Sequence, residues 1–141
     1  MATSELTAGA LVFKRSFPPI SRHMLALYCG ASGDHNPIHV DLDFARASGF
    51  PDVFAHGMLV MGYMGIALEE AGHAEGLRSY STRFLAITQL GARITCEARV
   101  GEIGDDVVNL DLVAQDENGD VKLKGRAVVD KEIWKDRLCA S

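Results

Sequence analysis

The feature of this sequence that most constrains its fold is a long apolar segment, AHGMLVMGYMGIALEEAG (55–72). It predicts a helix with apolar side chains on nearly every face until Glu69, and a helix that is apolar all round must be buried all round. Gly57, Gly62 and Gly65 each cost this helix about 1 kcal/mol in intrinsic propensity. We therefore expect other parts of the chain to pack closely against its backbone.

After Gly76 apolar and polar residues alternate, which is typical of strands with one buried face. Three segments have this period: ARITCEARV (92–100), VVNLDLVAQ (107–115) and VKLKGRAVV (121–129). Asn118-Gly119 is a strong hairpin signal, and RSYSTRFLAI (78–87) is predicted to be a fourth strand of the run. The predicted fold class is α+β, with one long helix packed on one curved antiparallel sheet.

The first fifty residues predict a short strand and two capped helices. LVFK (11–14) has the strand composition, and the two prolines that follow end it. Ser21 is a good N-cap for RHMLALYCGAS (22–32), and Asp41 is one for LDFARAS (42–48). A length of 141 residues suits a single domain spanning 1–141.

The charge of the chain restricts its partners. The formal net charge is −5, which argues against nucleic-acid binding because that requires a basic surface. An anionic small ligand stays possible, since a few local cations suffice for one.

The sequence also bears on location. The most apolar stretch, 58–68, is too short to span a bilayer, and the first seventeen residues lack the pattern of a signal peptide. Cys29, Cys96 and Cys139 show no paired spacing, so we expect neither a disulfide framework nor a zinc ribbon. A cytoplasmic protein is the expectation.

The segment GDHNPIH (33–39) concentrates polar side chains around a proline. On a continuous helix Asp34 and His39 would be about 140° apart, but Pro37 breaks the helix and lets them converge. A carboxylate and an imidazole together can transfer the protons of one water molecule, and Asn36 can orient that water or a carbonyl. The alternative is a purely structural turn in which Asp34 and Asn36 bond nearby backbone amides.

Metal binding is a third interpretation of this segment. His35 and His39 are four residues apart, and His56 is available as another ligand. Because Pro37 disrupts the helix that this spacing requires, we predict no metal site.

The start of the long helix is a second candidate site. Backbone amides at a helix N-terminus lack acceptors and carry the positive end of the helix dipole. The amide of Gly57 can therefore stabilise a carbonyl oxygen that gains negative charge. The alternative is that Gly57 only begins the helix and His56 only caps or packs.

Taken together, YCGASGDHNPIHVDLDFARASGF (28–50) and FAHGMLVMGYMG (54–65) resemble the MaoC-like dehydratases, the family of (R)-specific enoyl-CoA hydratases. The resemblance covers about residues 10 to 130. It implies the hotdog fold and an Asp34–His39 dyad that adds water to a trans-2-enoyl thioester. It also implies that Gly57 donates to the thioester oxygen and that Asn36 supports the dyad. No metal or redox cofactor is expected, since the thioester itself accepts the electrons.

The resemblance also suggests where the substrate and a partner bind. Coenzyme A or acyl carrier protein would carry the acyl group, and four cations are candidates for binding it: Arg83 beside the family's acyl tunnel, and Lys122, Lys124 and Arg126 on one face of a strand. The alternative for the last three is a solvated strand face. Members usually pair two hotdog units, so a homodimer or a heteromer with another hotdog chain is expected.

Two other functions fit the same fold. One is a non-catalytic or half-site acyl-binding subunit of a hotdog heteromer, which the intact Asp34 and His39 argue against. The other is a hotdog acyl-CoA thioesterase, which usually has its acid on the central helix. Glu69 and Glu70 lie at the far end of that helix, a poor position for this chemistry.

Overall fold

The computed structural model describes residues 5–139, in which five strands form one antiparallel sheet. The strands are β1 (Leu11–Ser16), β2 (Leu77–Phe84), β3 (Thr95–Ile103), β4 (Val107–Gln115) and β5 (Val121–Asp130). Their order across the sheet is β1-β3-β4-β5-β2. The expected run of four strands is therefore present, but β2 lies at an edge and pairs with β5.

Four α-helices complete the described chain: α1 (Arg22–Ser32), α2 (Leu42–Ala47), α3 (Gly57–Ala71) and α4 (Lys135–Leu138). Both predicted caps are confirmed, since the Ser21 side chain accepts from the Met24 amide and the Asp41 side chain accepts from the Phe44 amide. No helix in residues 5–139 is long and apolar enough to cross a membrane. Residues 1–4, at the start of the segment predicted to lack a signal peptide, lie outside the described residues.

The core lies between α3 and one face of the sheet. Leu59, Val60, Met64 and Leu68 of α3 are all buried. Opposite them, the predicted strand alternation is confirmed, with these inner side chains fully or almost fully buried: Cys96, Ala98, Val100, Val108, Leu110, Leu112, Ala114, Leu123, Ala127 and Val129. The α+β class and the helix-on-sheet packing predicted from the sequence are therefore confirmed.

The expectation that α3 is buried all round is wrong for the single chain. The side of α3 that faces away from the sheet leaves Met58 53% and Ile66 46% exposed. The sheet covers one side of the helix only, and a side chain added at Gly62 would meet open space. Close packing is found instead at Gly57, where an added Cβ would lie 3.3 Å from three ring atoms of Phe84.

The interpretation of Lys122 as part of a solvated strand face is also wrong. Ala114 of β4 pairs with Leu123, whereas the next residue, Gln115, pairs with Val121. Lys122 is thus the extra residue of a β-bulge, and its side chain is only 7% exposed. Lys124 and Arg126, beyond the bulge, remain exposed as predicted.

Candidate active site

The turn before α2 is built by its own polar side chains. Gly33 ends α1 in the left-handed conformation (φ 76°), where glycine is favoured. The Asp34 carboxylate accepts from the Asn36 amide at 3.2 Å, and the Asn36 side chain accepts from the Ile38 amide at 3.1 Å. The predicted structural role of Asp34 and Asn36, to bond nearby backbone amides, is therefore confirmed. These bonds start a short 3₁₀ turn, Pro37–His39, that turns His39 inward.

His39 is held in one tautomer by the backbone. Its Nδ1 lies 2.7 Å from the Phe54 carbonyl oxygen, and because a carbonyl only accepts, Nδ1 must carry the proton. The Nε2 atom of the neutral ring then has a lone pair available as a base. The side chain is 9% exposed, so this base is largely shielded from bulk water.

His56 packs directly on His39 and shares the site. The two rings are stacked, with centroids 3.8 Å apart. The His56 Nε2 lies 3.3 Å from the Asp34 carbonyl oxygen and 3.4 Å from the Cys29 sulfur. Its Nδ1 is buried and has no hydrogen-bond partner among residues 5–139. The ring contacts agree with the packing interpretation of His56, and its side chain makes no capping bond to α3.

Burial lowers the pKa of His56, and repulsion between two protonated rings, His56 and the adjacent His39, would lower it further. A doubly protonated His56 would place a charge and an unsatisfied Nδ1 donor inside the protein. The site therefore favours the neutral imidazole at position 56.

The fold brings Asp34 and His39 together, as the sequence predicted. One polar atom from each of Asp34, His39 and His56 lies within 4.8 Å of the other two. His35 is exposed and does not belong to this group. From the sequence, His56 is predicted only to be a cap, a packing residue or a metal ligand. Its stacking on His39 was not foreseen, because residues 17 apart in the chain meet only through tertiary packing.

The ligand atoms of Asp34, His39 and His56 are also close enough together to hold a metal ion. Histidine nitrogens bind zinc at about 2.0–2.1 Å in the plane of the ring. The rings of His39 and His56 are tilted by only 25° at a centroid separation of 3.8 Å. Stacked rings direct their in-plane lone pairs along nearly parallel planes, which is a poor arrangement for binding one ion with both rings.

A cavity of about 390 Å³ opens beside His39. We call it the histidine cavity; its walls include His39, Phe54, Gly57, Val60, Phe84 and Lys122. Gly57 is the first residue of α3, so the amide end of the helix meets the same space as the histidine. The lining is mostly apolar, which suits an acyl group more than a charged ligand.

A second depression, the cationic cleft, lies on the exposed strand surface and contains three of the predicted binding residues. Arg83, Lys124 and Arg126 line this space of about 560 Å³ together with Asp111. Arg83 lines this cleft and does not line the histidine cavity. Lys122, by contrast, lines the histidine cavity and does not line the cationic cleft.

The cleft is suited to an anion. Arg83 and Lys124 are paired directly across β2 and β5, and like charges in that position destabilise a sheet. Asp111 is the one acidic residue among those that line the cleft, against three cations, so the cleft carries a net positive charge.

A long helix packed on one face of an antiparallel sheet is the architecture of the hotdog fold. The family model described as a MaoC like domain matches residues 8–118. Because this match covers most of the chain, the protein belongs to the MaoC-like family.

Relatives agree with this assignment. The 3-hydroxyacyl-thioester dehydratase X of Mycobacterium tuberculosis is 38% identical over 80 residues, which are 57% of this chain and 28% of that protein. The (R)-specific enoyl-CoA hydratase of Rhodospirillum rubrum is 32% identical over 83 residues, or 57% of this chain and 58% of that protein. The chain thus spans less than two thirds of either relative. Both names describe hydro-lyase activities of those relatives.

The fold is also that of a solved enzyme structure. The (R)-hydratase of A. caviae involved in PHA biosynthesis matches with a TM-score of 0.77 at 24% identity, covering 89% of this chain and 96% of that one. This likeness confirms the hotdog fold.

The neutral state of buried His56 gives the protein a pH-dependent stability. The pKa of His56 in the folded protein lies below the ordinary 6.5, so the unfolded chain takes up this proton first as the pH falls. The free energy of unfolding should therefore decrease below about pH 6.5. His56→Gln does not titrate and should show a smaller decrease between about pH 7.5 and about pH 5.5 in urea unfolding experiments. The exposed His23→Gln is the control, and an equal decrease in H56Q and wild type contradicts the assignment.

Proposed function

We propose that this protein is an (R)-specific enoyl-thioester hydratase that also catalyses the reverse dehydration of 3-hydroxyacyl thioesters. The observation that supports it most is the orientation of His39. Its Nδ1 is bound to the Phe54 carbonyl, so the basic Nε2 is left for the cavity that Gly57 also lines. The family membership of the chain supports the same reaction.

In the proposed reaction Asp34 and His39 hold one water molecule. The water oxygen forms a bond to C3 of the trans-2-enoyl thioester while one of its protons goes to the dyad. The electron pair of the double bond moves towards the thioester oxygen, and C2 then receives a proton from the dyad. Oxidation states balance without an added electron acceptor, so the reaction needs no redox cofactor, and we propose that the Asp34–His39 dyad activates the water without a metal. The product is an (R)-3-hydroxyacyl thioester.

Gly57 and Asn36 have supporting roles in this proposal. The amide of Gly57 donates to the thioester oxygen as negative charge develops there, since the first amides of a helix have no acceptor within it. The side chain of Asn36 starts the 3₁₀ turn that carries His39. Asn36 thus positions the dyad through the backbone.

The alternatives have less support. For the thioesterase, Glu69 lies twelve residues beyond Gly57 along α3, which corresponds to about 18 Å. Glu70 forms an ion pair with Arg15 at 2.9 Å. A non-catalytic subunit would not need the acid, the oriented base and the helix amide together, so we favour catalysis.

The exposed apolar side of α3 supports the proposed dimer. Met58 and Ile66 form a stripe on this helix, and β2 next to it is an edge strand. Both features would favour association or aggregation of an isolated chain, because apolar patches and open sheet edges bind other chains. We propose that a second hotdog unit, in a homodimer or a heteromer, covers this side, and that the protein functions in the cytoplasm.

The dyad can be tested by substitution. Asp34→Asn and His39→Ala should each lower kcat/KM for hydration of crotonyl-CoA by about a hundredfold or more, because each removes one proton-transfer group. His35→Ala is the matched control, since His35 lies in the same turn but is exposed, and it should retain the activity. Full activity in either dyad variant, with an unchanged circular dichroism spectrum, would rule out the proposed mechanism.

Gly57→Ala should reduce the same activity about tenfold or more. The new methyl group would lie 3.3 Å from three ring atoms of Phe84, so the ring must move or the space beside the amide must narrow. Phe84 is 49% exposed and can move, and the thermal stability should therefore change little. Gly30→Ala, where an added Cβ has no neighbour within 4 Å, is the control. Equal activities of the two variants would contradict a role for the Gly57 amide.

The cationic cleft is proposed to bind the phosphates of coenzyme A. Arg83→Ala and Lys124→Ala should each raise KM for crotonyl-CoA about tenfold, with little change for the N-acetylcysteamine thioester, which has no phosphate. Added salt should weaken wild-type binding in the same way. Arg93→Ala removes an exposed cation elsewhere and is the control. Equal effects on both thioesters would argue against this site, and the same assay with an acyl-carrier-protein thioester would separate the two carriers.

A further inference from the structure

A buried lysine lies in the wall of the histidine cavity. Lys122 lines this cavity together with His39 and Gly57, yet its side chain is only 7% exposed. Apart from His39, Thr88 and Lys122, the residues that line the cavity are apolar or glycine. An ammonium group in such a wall requires a physical reason, because burying a charge is costly unless it is well paired.

Two acceptors hold the Lys122 ammonium in place. It donates to the Ile87 carbonyl oxygen at 3.0 Å, and it lies 3.5 Å from an oxygen of Asp116. An ammonium has three N–H donors, so these two contacts leave one donor for another acceptor. Because Lys122 lines the cavity, a ligand there can provide that acceptor.

Asp116 does not depend on the lysine. The Gln89 side chain donates to it at 3.0 Å, and the amides of Asn118 and Asp120 donate at 2.9 and 3.0 Å. The Gln89 hydrogen bond, the two backbone amides and the Lys122 charge together lower the pKa of Asp116, so the carboxylate is stable as an anion with most of its donors coming from elsewhere.

A structural role alone therefore explains Lys122 poorly. A buried ion pair is often no more stable than well-packed apolar side chains of similar volume. Asp116 already accepts from three other donors, and Lys122 approaches it only to 3.5 Å, which is longer than a normal hydrogen bond. The lysine is better explained by something that the cavity binds.

We propose that Lys122 is a specificity-determining residue that donates a hydrogen bond to an oxygen of the bound thioester. This inference rests on the proposed hydratase function. His39 and Lys122 line the same cavity. When C2 and C3 of the thioester are at His39, another part of the thioester therefore lies at Lys122. The acceptor is either an amide carbonyl of the pantetheine arm or a hydroxyl or oxo group on the acyl chain. A neutral oxygen suits the site more than a carboxylate does, because Asp116 already balances the charge of the ammonium.

The test compares thioesters with and without such an oxygen. Lys122→Met should lower kcat/KM about tenfold to a hundredfold for a thioester whose oxygen meets the ammonium, the range expected for a hydrogen bond from a charged donor. Four substrates separate the two sources: crotonyl-CoA and ethyl thiocrotonate differ in the pantetheine amides, and 2-hexenoyl-CoA and 6-hydroxy-2-hexenoyl-CoA differ in an acyl hydroxyl. Lys122→Gln retains a neutral donor and should recover part of the loss.

Lys131→Met is the control. Lys131 also donates to a backbone carbonyl, that of Gly104 at 3.1 Å, but it does not line the histidine cavity. This variant should leave all four values of kcat/KM within about twofold of wild type. Thermal unfolding of each variant shows whether it is folded. If Lys122→Met does not fold, the same four substrates are compared between Lys122→Gln and the wild type.

Each outcome has a defined meaning. A loss with crotonyl-CoA but not with ethyl thiocrotonate identifies the pantetheine amide, and a loss that is larger with the hydroxylated hexenoyl substrate identifies the acyl chain. Equal changes for all four substrates would overturn the inference and leave Lys122 a structural role. Absence of wild-type turnover with every thioester would refute the proposed function instead. In that event Lys122→Met must still weaken binding of butyryl-CoA or 6-hydroxyhexanoyl-CoA about tenfold in calorimetry, or the inference is wrong as well.

Discussion

The structure depends on the burial of α3 against one face of the sheet. This contact fixes the axis of the helix, and with it the position of the Gly57 amide at its first turn. The same packing brings the 54–57 segment against the turn that carries His39, where the Phe54 carbonyl accepts a hydrogen bond from His39 Nδ1. Core packing and site geometry thus depend on the same contact, and among residues 5–139 nothing covers Met58 and Ile66 on the other side of the helix.

The turn at 33–39 shows that structural and catalytic interpretations of one motif need not exclude each other. Asp34 and Asn36 accept hydrogen bonds from amides two residues ahead, which is what a turn requires. Those bonds also set the direction in which His39 points. A carboxylate has further lone pairs available after one such bond, so Asp34 can stabilise the turn and still hold a water molecule.

Two polar side chains that line the histidine cavity, His39 and Lys122, are each held by a backbone carbonyl. The Phe54 carbonyl selects the tautomer of His39, and the Ile87 carbonyl holds the ammonium of Lys122. Both carbonyls lie outside the long strands and helices, in segments that an isolated bridge, Phe54 to Gln89, joins to each other. The acid–base end and the lysine end of the cavity are therefore linked through one short stretch of irregular structure.

Local patterns were enough to predict the helices, the caps and the alternation of the strands, because each of these depends on residues close in the chain. Proximity of Asp34 and His39 was predictable for the same reason, since Pro37 between them prevents a continuous helix. Three features depend on distant residues and were decided only by the tertiary structure: the exposed side of α3, the stacking of His56 on His39, and the inward direction of Lys122. The last results from a one-residue shift of register between β4 and β5, and strand alternation alone places that side chain on the wrong face.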